Sequence, residues 1–451
     1  MEKQFERIVG APADVLDKTV TISENLVRHG GVKRARKYWH NLGPGLTTGA
    51  SDDDPSGIAT YSQTGAAYGF QLLWLAGFTF PLMAIVQEMC ARIGLVTGRG
   101  LAGNIRIHFP KWVLYICTAL LFFANTLNIG ADIGAMAKAT QLIFPSISFG
   151  TLIFGFAIVS LGLQIFVSYE KYARYLKYLA LILLSYIAAA VMVKLDYKDL
   201  ITGALIPTIK FTKEQIFLIC AVLGTTISPY LFFWQTSQEV EESILKGQTS
   251  LKLRQEAVSD KEIKLMRQDI WSGMFLSNLV MFFIIAATAA TLFANGITNI
   301  PTAADAAAAL RPIAGDYAYL LFALGVIGTG MLAIPVLAGS ASYAMSESFG
   351  WKVGLYRKLK EANAFYGIII ISTFLGVALN FVGIDPIKAL IFAAIVNGMV
   401  APVILILIVL ISSNKKVMGD RVNHPIATVL GLLITGLMAL AGIATIFFSF
   451  F

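Results

Sequence analysis

From residue 40 to the end of the chain, apolar runs of about twenty residues alternate with short charged clusters. An α-helix rises about 1.5 Å per residue, so each run matches a hydrocarbon core of about 30 Å. Eleven spans follow from this pattern, at residues 40–68, 70–96, 112–140, 147–168, 173–195, 214–238, 269–295, 317–347, 364–383, 387–412 and 425–450. The chain therefore reads as an all-α polytopic membrane protein.

Two of the spans are interrupted by polar residues around a proline. The first carries Asp52-Asp53-Asp54-Pro55-Ser56-Gly57, and the sixth carries Gly224-Thr225-Thr226-Ile227-Ser228-Pro229-Tyr230. A charge at mid-membrane depth costs about 2.5–3.5 kcal/mol on insertion scales, so three carboxylates there need a cavity, a partner or a cation. Proline removes an amide donor and glycine relaxes the backbone, so both helices are expected to break at mid-membrane and free carbonyls beside the side chains. If the first ten spans form two five-helix halves, the breaks occupy corresponding positions. Paired breaks of this kind point to a transport site in an inverted-repeat fold.

Composition agrees, with 57% hydrophobic and 14% charged residues and a mean hydropathy of +0.71. The net charge of +8 has a topological origin. With the N-terminus inside, 28 of the 35 Lys and Arg residues fall on the cytoplasmic side, as loop charge requires. The C-terminus then lies opposite, and the charge faces anionic headgroups with no role for nucleic acid. Residues 1–38 lack the apolar core of a signal peptide and read as a cytoplasmic leader. The charged stretch 239–268 reads as a cytoplasmic loop, and Glu239, Glu241 and Glu242 within it are vestibule candidates. Cys90, Cys117 and Cys220 lie in apolar spans, and the four histidines lie at span ends, in a loop or in the leader. A disulfide framework, a thiolate cluster and an intramembrane His-rich zinc site are thereby disfavoured. No cofactor, catalytic set or obligatory protein partner is evident, so an enzyme is not expected.

Residues 42–103 carry Leu42-Gly43-Pro44-Gly45, Asp54-Pro55-Ser56-Gly57, Ala91-Arg92 and Thr97-Gly98-Arg99-Gly100-Leu101-Ala102. This block resembles the first two helices of NRAMP-type divalent-metal transporters. The sixth span, the glycine-rich segment Gly325 to Gly339 and Ser413 to Gly419 follow in the order of that family. The resemblance implies a LeuT-type fold of two inverted five-helix repeats plus one extra helix, divided at residues 39–195, 196–412 and 413–451.

The chain departs from the family at its metal site. Where NRAMP transporters carry Asp-Pro-Gly-Asn in helix one and Met-Pro-His in helix six, this sequence retains Asp54. It has Gly57 for Asn, Ser228 for Met and Tyr230 for His. The pattern resembles the magnesium-transporter-like branch. Thioether sulfur favours softer ions, and a hydroxyl removes that preference. Mg2+ keeps its waters and prefers oxygen ligands at about 2.0–2.1 Å, so the smaller Gly57 and Ser228 are expected to enlarge the pocket for a hydrated ion.

The expected site has Asp54 at its centre, with the carbonyls of Ser51 and Thr225 implied by the family pattern. Thr226 is a further hydroxyl candidate, Asp53 a supporting carboxylate and Asp52 a residue of the mouth. In the third span Asn128 and Asp132 are four apart and share a face; Asp132 joins the site, while Asn128, Asn397 and Tyr230 are pathway candidates. The expected activity is movement of Mg2+, and of Mn2+, across the cell membrane by alternating access. Loss of the helix-six histidine argues against obligatory proton coupling. The alternatives are a LeuT-type symporter of an organic solute such as an amino acid, and a proton-coupled transition-metal transporter.

Overall fold

Proline and glycine decide where the helices stop. The computed structural model describes residues 37–39, 41–193, 195–300, 303–382 and 386–450, without the side chains of 303–314, 318–319, 386–388 and 449–450. The predicted cytoplasmic leader, residues 1–38, therefore lies almost wholly outside the described residues. Contact clustering sets residues 1–43 apart, and everything below concerns the packed unit from Pro44 onward.

The first span consists of two half-helices, α1 (Pro44–Asp52) and α2 (Pro55–Tyr68). Then come α3 (Trp74–Thr97), a linker helix α4 (Leu101–His108), α5 (Lys111–Ile143) and α6 (Phe149–Phe166). The fifth span is α7 (Tyr169–Leu179) and α8 (Leu184–Val191), joined by a 3-10 turn, and a short α9 (Tyr197–Leu205) follows. The sixth is again split, into α10 (Lys213–Thr226) and α11 (Pro229–Leu245). After α12 (Leu251–Glu256) come α13 (Asp260–Thr291), α14 (Ala303–Phe349), α15 (Asn363–Leu379), α16 (Pro386–Ser412), α17 (Lys415–Met418) and α18 (Pro425–Phe450).

Among the described residues, nine helical segments are long and apolar enough to cross a membrane, with the α10–α11 and α7–α8 pairs each taken as one. The α1–α2 pair and the shorter α15 occupy the remaining two predicted spans. The stretch 239–268 is not one loop: α11 continues to Leu245 and α13 begins at Asp260, where Ser259 and Glu262 form a reciprocal capping box. Only about its middle half is linker. In α14 the span starts at Gly315, whose φ of 86° breaks the helix.

Packing places the broken spans inside. α10 and α11 are almost wholly buried, whereas α6 and α18 expose Phe154, Ile158, Phe166, Val429, Leu440 and Ile443. Such continuous apolar faces suit lipid contact. Around the first break, α1 lies backbone to backbone on α13: a Cβ at Gly49 would come within 2.4 Å of Gly273. α10 meets α16 in the same way, since a Cβ at Gly224 would lie 2.4 Å from the Gly398 nitrogen. Close approach through small residues is how membrane helices gain van der Waals contact without a hydrophobic driving force.

Candidate functional site

Asp54 is the N-cap of α2, with Pro55 as the first helical residue. Its Oδ1 accepts hydrogen bonds from the Gly57 amide at 2.7 Å and the Ser56 hydroxyl at 2.6 Å, satisfying groups that a helix start leaves open. Oδ2 points elsewhere and accepts from Asn128 Nδ2 at 3.3 Å. One carboxylate thus closes a helix end with one oxygen and presents the other to α5.

The two broken spans are stitched crosswise. The Tyr230 hydroxyl, at the start of α11, donates to the Ser51 carbonyl near the end of α1 at 2.7 Å. Ser56 Oγ and Thr225 Oγ1 lie 3.4 Å apart, joining α2 to α10. Tyr61 OH and Thr226 Oγ1 are 3.2 Å apart, and Thr226 also donates to the Val222 carbonyl. Ser228 turns back and donates to the Gly224 and Thr225 carbonyls, each at 2.7 Å. The carbonyls of Ser51 and Thr225 therefore each hold one hydrogen bond and keep a second lone pair.

The side chains of Ser51, Asp53, Asp54, Asn128, Asp132, Thr225, Thr226, Ser228 and Tyr230, like Asn397, are all buried. Their partners differ. Among the described residues, neither Asp53 oxygen nor either Asp132 oxygen has a hydrogen-bond partner, and the same holds for both amide atoms of Asn397 and for Asn128 Oδ1. Asp52 is engaged from α13, where the Ser277 hydroxyl donates to it at 2.9 Å. Asp132 sits within electrostatic range of Asp54. No group of three His, Cys, Asp or Glu side chains converges among the described residues. A cation here would meet one or two carboxylates among carbonyls, hydroxyls and an amide. That set is dominated by oxygen, which suits a hard ion, with the Met281 sulfur 4.0 Å from Thr226 Oγ1 at its edge.

Two readings change. A Cβ at Gly57 would meet the Asp52 carbonyl at 3.1 Å and Thr225 Oγ1 at 3.2 Å, so the absent side chain admits helix ten instead of enlarging a pocket. Glu239 and Glu241 are not open vestibule charges. Glu239 accepts from Gln235, and Glu241 accepts from Tyr343, Leu355 and Tyr356.

Three supporting residues went unread in the sequence. Ser56 and Ser277 hold the carboxylates, and Asp269 accepts from the Gly45 and Leu46 amides at 2.7 and 3.1 Å to close the start of α1. Ser56 was signalled by the N-cap spacing. Nothing local marks Ser277 or Asp269, whose targets lie more than 220 residues away.

Residues 45–448 match the family described as Nramp, natural resistance-associated macrophage protein-like. The chain belongs to the Nramp family. The divalent metal cation transporter MntH of Aeromonas hydrophila is 25% identical over 415 residues, which cover 90% of this chain and 95% of that protein. Its counterpart in Klebsiella pneumoniae is 26% identical over 412 residues, 89% and 92% of the two chains. The crystal structure of the Eremococcus coleocola manganese transporter, in complex with an aromatic bis-isothiourea compound, superposes with a TM-score of 0.72 at 17% identity, covering 90% of this chain and 86% of that one. Mhp1, a nucleobase-cation-symport-1 family transporter in a closed conformation, superposes with a TM-score of 0.59 at 13% identity over 90% of each chain. This Nramp protein thus has the LeuT-type arrangement of helices and is a multi-pass membrane protein.

Proposed function

We propose that the protein carries divalent metal cations across the membrane by alternating access, with Mg2+ as its preferred cargo, held with several of its waters beside Asp54. The coarser part, divalent metal cation transport, follows from membership of the Nramp family and from relatives named for that activity. Asp54 carries the finer part: its buried Oδ2 faces the Asn128 amide, and the helix-six break, residues 224–230, offers hydroxyls and carbonyls with no sulfur-bearing side chain of its own. The ion would rest between Asp54 Oδ2 and the free lone pairs of the Ser51 and Thr225 carbonyls. The C-terminal ends of α1 and α10 supply negative dipole there. Asp53 and Asp132, buried and without hydrogen-bond partners, would add charge within the path. A second reading, Mn2+ as principal cargo, is favoured by the names of the relatives; oxygen ligands distinguish Mn2+ from Mg2+ only weakly.

With Tyr230 in place of the helix-six histidine and engaged on the Ser51 carbonyl, transport is proposed to run down the electrochemical gradient without obligatory protons. Proteoliposomes holding a fluorescent pH reporter test this. The lumen is expected to keep its pH while Mg2+ enters; acidification that tracks Mg2+ entry without an imposed proton gradient would establish coupling and end the uncoupled reading. The proposed orientation has the N-terminus and the segment 246–259 in the cytoplasm.

A further inference from the structure

Where the second and eighth spans end, a cavity of about 440 Å3 opens between the Gly98–Gly100 turn, α4, α11 and residues 343–356. Small-molecule sites occupy roughly 300–1,000 Å3. None of Ser51, Asp54, Thr225 or Ser228 lines it, so it is distinct from the path above. Arg99, Arg106 and Arg254 line it from three separate segments. Against these three guanidiniums stand two carboxylates, Glu241 and Glu347, so the lining is net positive and suits an anion.

Two of the arginines are placed by backbone, not by carboxylates. Arg254 donates from Nε to the Gly98 carbonyl at 3.1 Å and from Nη1 to the Thr249 carbonyl at 3.0 Å. Arg106 Nη1 donates to the Glu347 carbonyl at 3.3 Å. None of the three forms a salt bridge among the described residues. Both carboxylates on the wall are held by their own neighbours, not by the arginines. Glu347, within the field of Arg99, accepts the Gly100 and Gly103 amides at 3.0 and 2.8 Å. Glu241 accepts the Tyr343 hydroxyl at 2.5 Å and the Leu355 amide at 2.7 Å. Burial pulls the Arg254 pKa below its ordinary value. Trp351 and Tyr356 add aromatic surface beside Ile107, Val240 and Ile244.

We propose that this cavity binds a phosphate-bearing ligand, with Arg99, Arg106 and Arg254 taking the phosphate oxygens and Trp351 and Tyr356 facing the rest of the molecule. Guanidinium forks match phosphate oxygens in charge and geometry. The shared chemistry is a phosphate group with its negative oxygens exposed, and its source is a soluble nucleotide or a phosphorylated lipid headgroup. Glu241 and Ser237 sit on α11, the far half of the broken sixth span, so a ligand here touches an element that ends at the proposed ion site.

Calorimetric titration of the purified full chain in detergent micelles tests this, with pyrophosphate, ADP and short-chain phosphatidylinositol 4-phosphate as probes. Saturable binding by at least one probe is expected, weakening as salt rises. It should fall about tenfold in Arg99→Gln and Arg106→Gln, the scale of one lost charge-assisted contact. It should stay unchanged in Lys264→Gln, an exposed control on α13. Arg99→Gln breaks no side-chain hydrogen bond, and circular dichroism checks its fold. Tighter binding of ADP identifies a nucleotide, and tighter binding of the lipid a headgroup; each supports the site. No saturable binding by any probe, or undiminished binding in both folded arginine variants, would overturn the proposal.

Discussion

Asp54 has two jobs that substitution can separate. Its Oδ1 caps α2 and its Oδ2 is the proposed ion ligand. Asparagine is also a good N-cap, whereas loss of a cap costs about 1 kcal/mol. Asp54→Asn is therefore expected to melt close to the parent protein yet lose divalent flux by about tenfold or more, since it removes the charge while keeping the cap. Asp54→Ala should lose flux and also melt lower. Equal flux in parent and Asn variant would show that the carboxylate serves the helix end alone. Ser228 offers the complementary experiment: Ser228→Met places a thioether at the break, and competition uptake should then shift from Mg2+ toward Mn2+ and Cd2+. An unchanged ranking would mean that residue 228 does not face the ion.

Among the helices, the half-helix ends are held by single polar groups from distant elements. Asp269 closes the start of α1 on two buried amides. Asp269→Ala leaves both amides without that acceptor and is expected to cost about 1–3 kcal/mol, visible as a lower thermal midpoint in detergent. A midpoint within error of the parent would show that the cap is dispensable. Tyr230→Phe releases the Ser51 carbonyl and cuts the tie between α11 and α1. Both breaks were legible in the sequence because Pro55 and Pro229 cannot donate an amide within an apolar run. The ties between them were not. Ser277, Asp269 and the Tyr230 to Ser51 bond depend on which helices become neighbours, and local sequence carries no such information. Gly57 is instructive: against the family pattern it read as a missing ligand and a larger pocket, whereas the fold fills that space with Thr225.

At the scale of the whole molecule, hydrophobic run length located the apolar helices, nine of them long enough to cross a membrane among the described residues, because a bilayer permits few alternatives to helices of that length. Charge was less informative at helix ends, where α11 and α13 run on through residues read as loop. The carboxylates of the broken spans are buried, whereas Arg99 and Arg106 are exposed and Arg254 is half-buried, so the proposed cation path and the proposed anion cavity draw on separate residues. The central claim is that this bundle moves Mg2+ past Asp54. Mg2+ uptake into liposomes reconstituted with the purified protein, compared with Asp54→Asn at matched protein density, tests it most directly. The account predicts saturable Mg2+ uptake that Mn2+ competes for and that the substitution abolishes; absence of Mg2+ uptake in the parent protein, or its persistence in the variant, would contradict it.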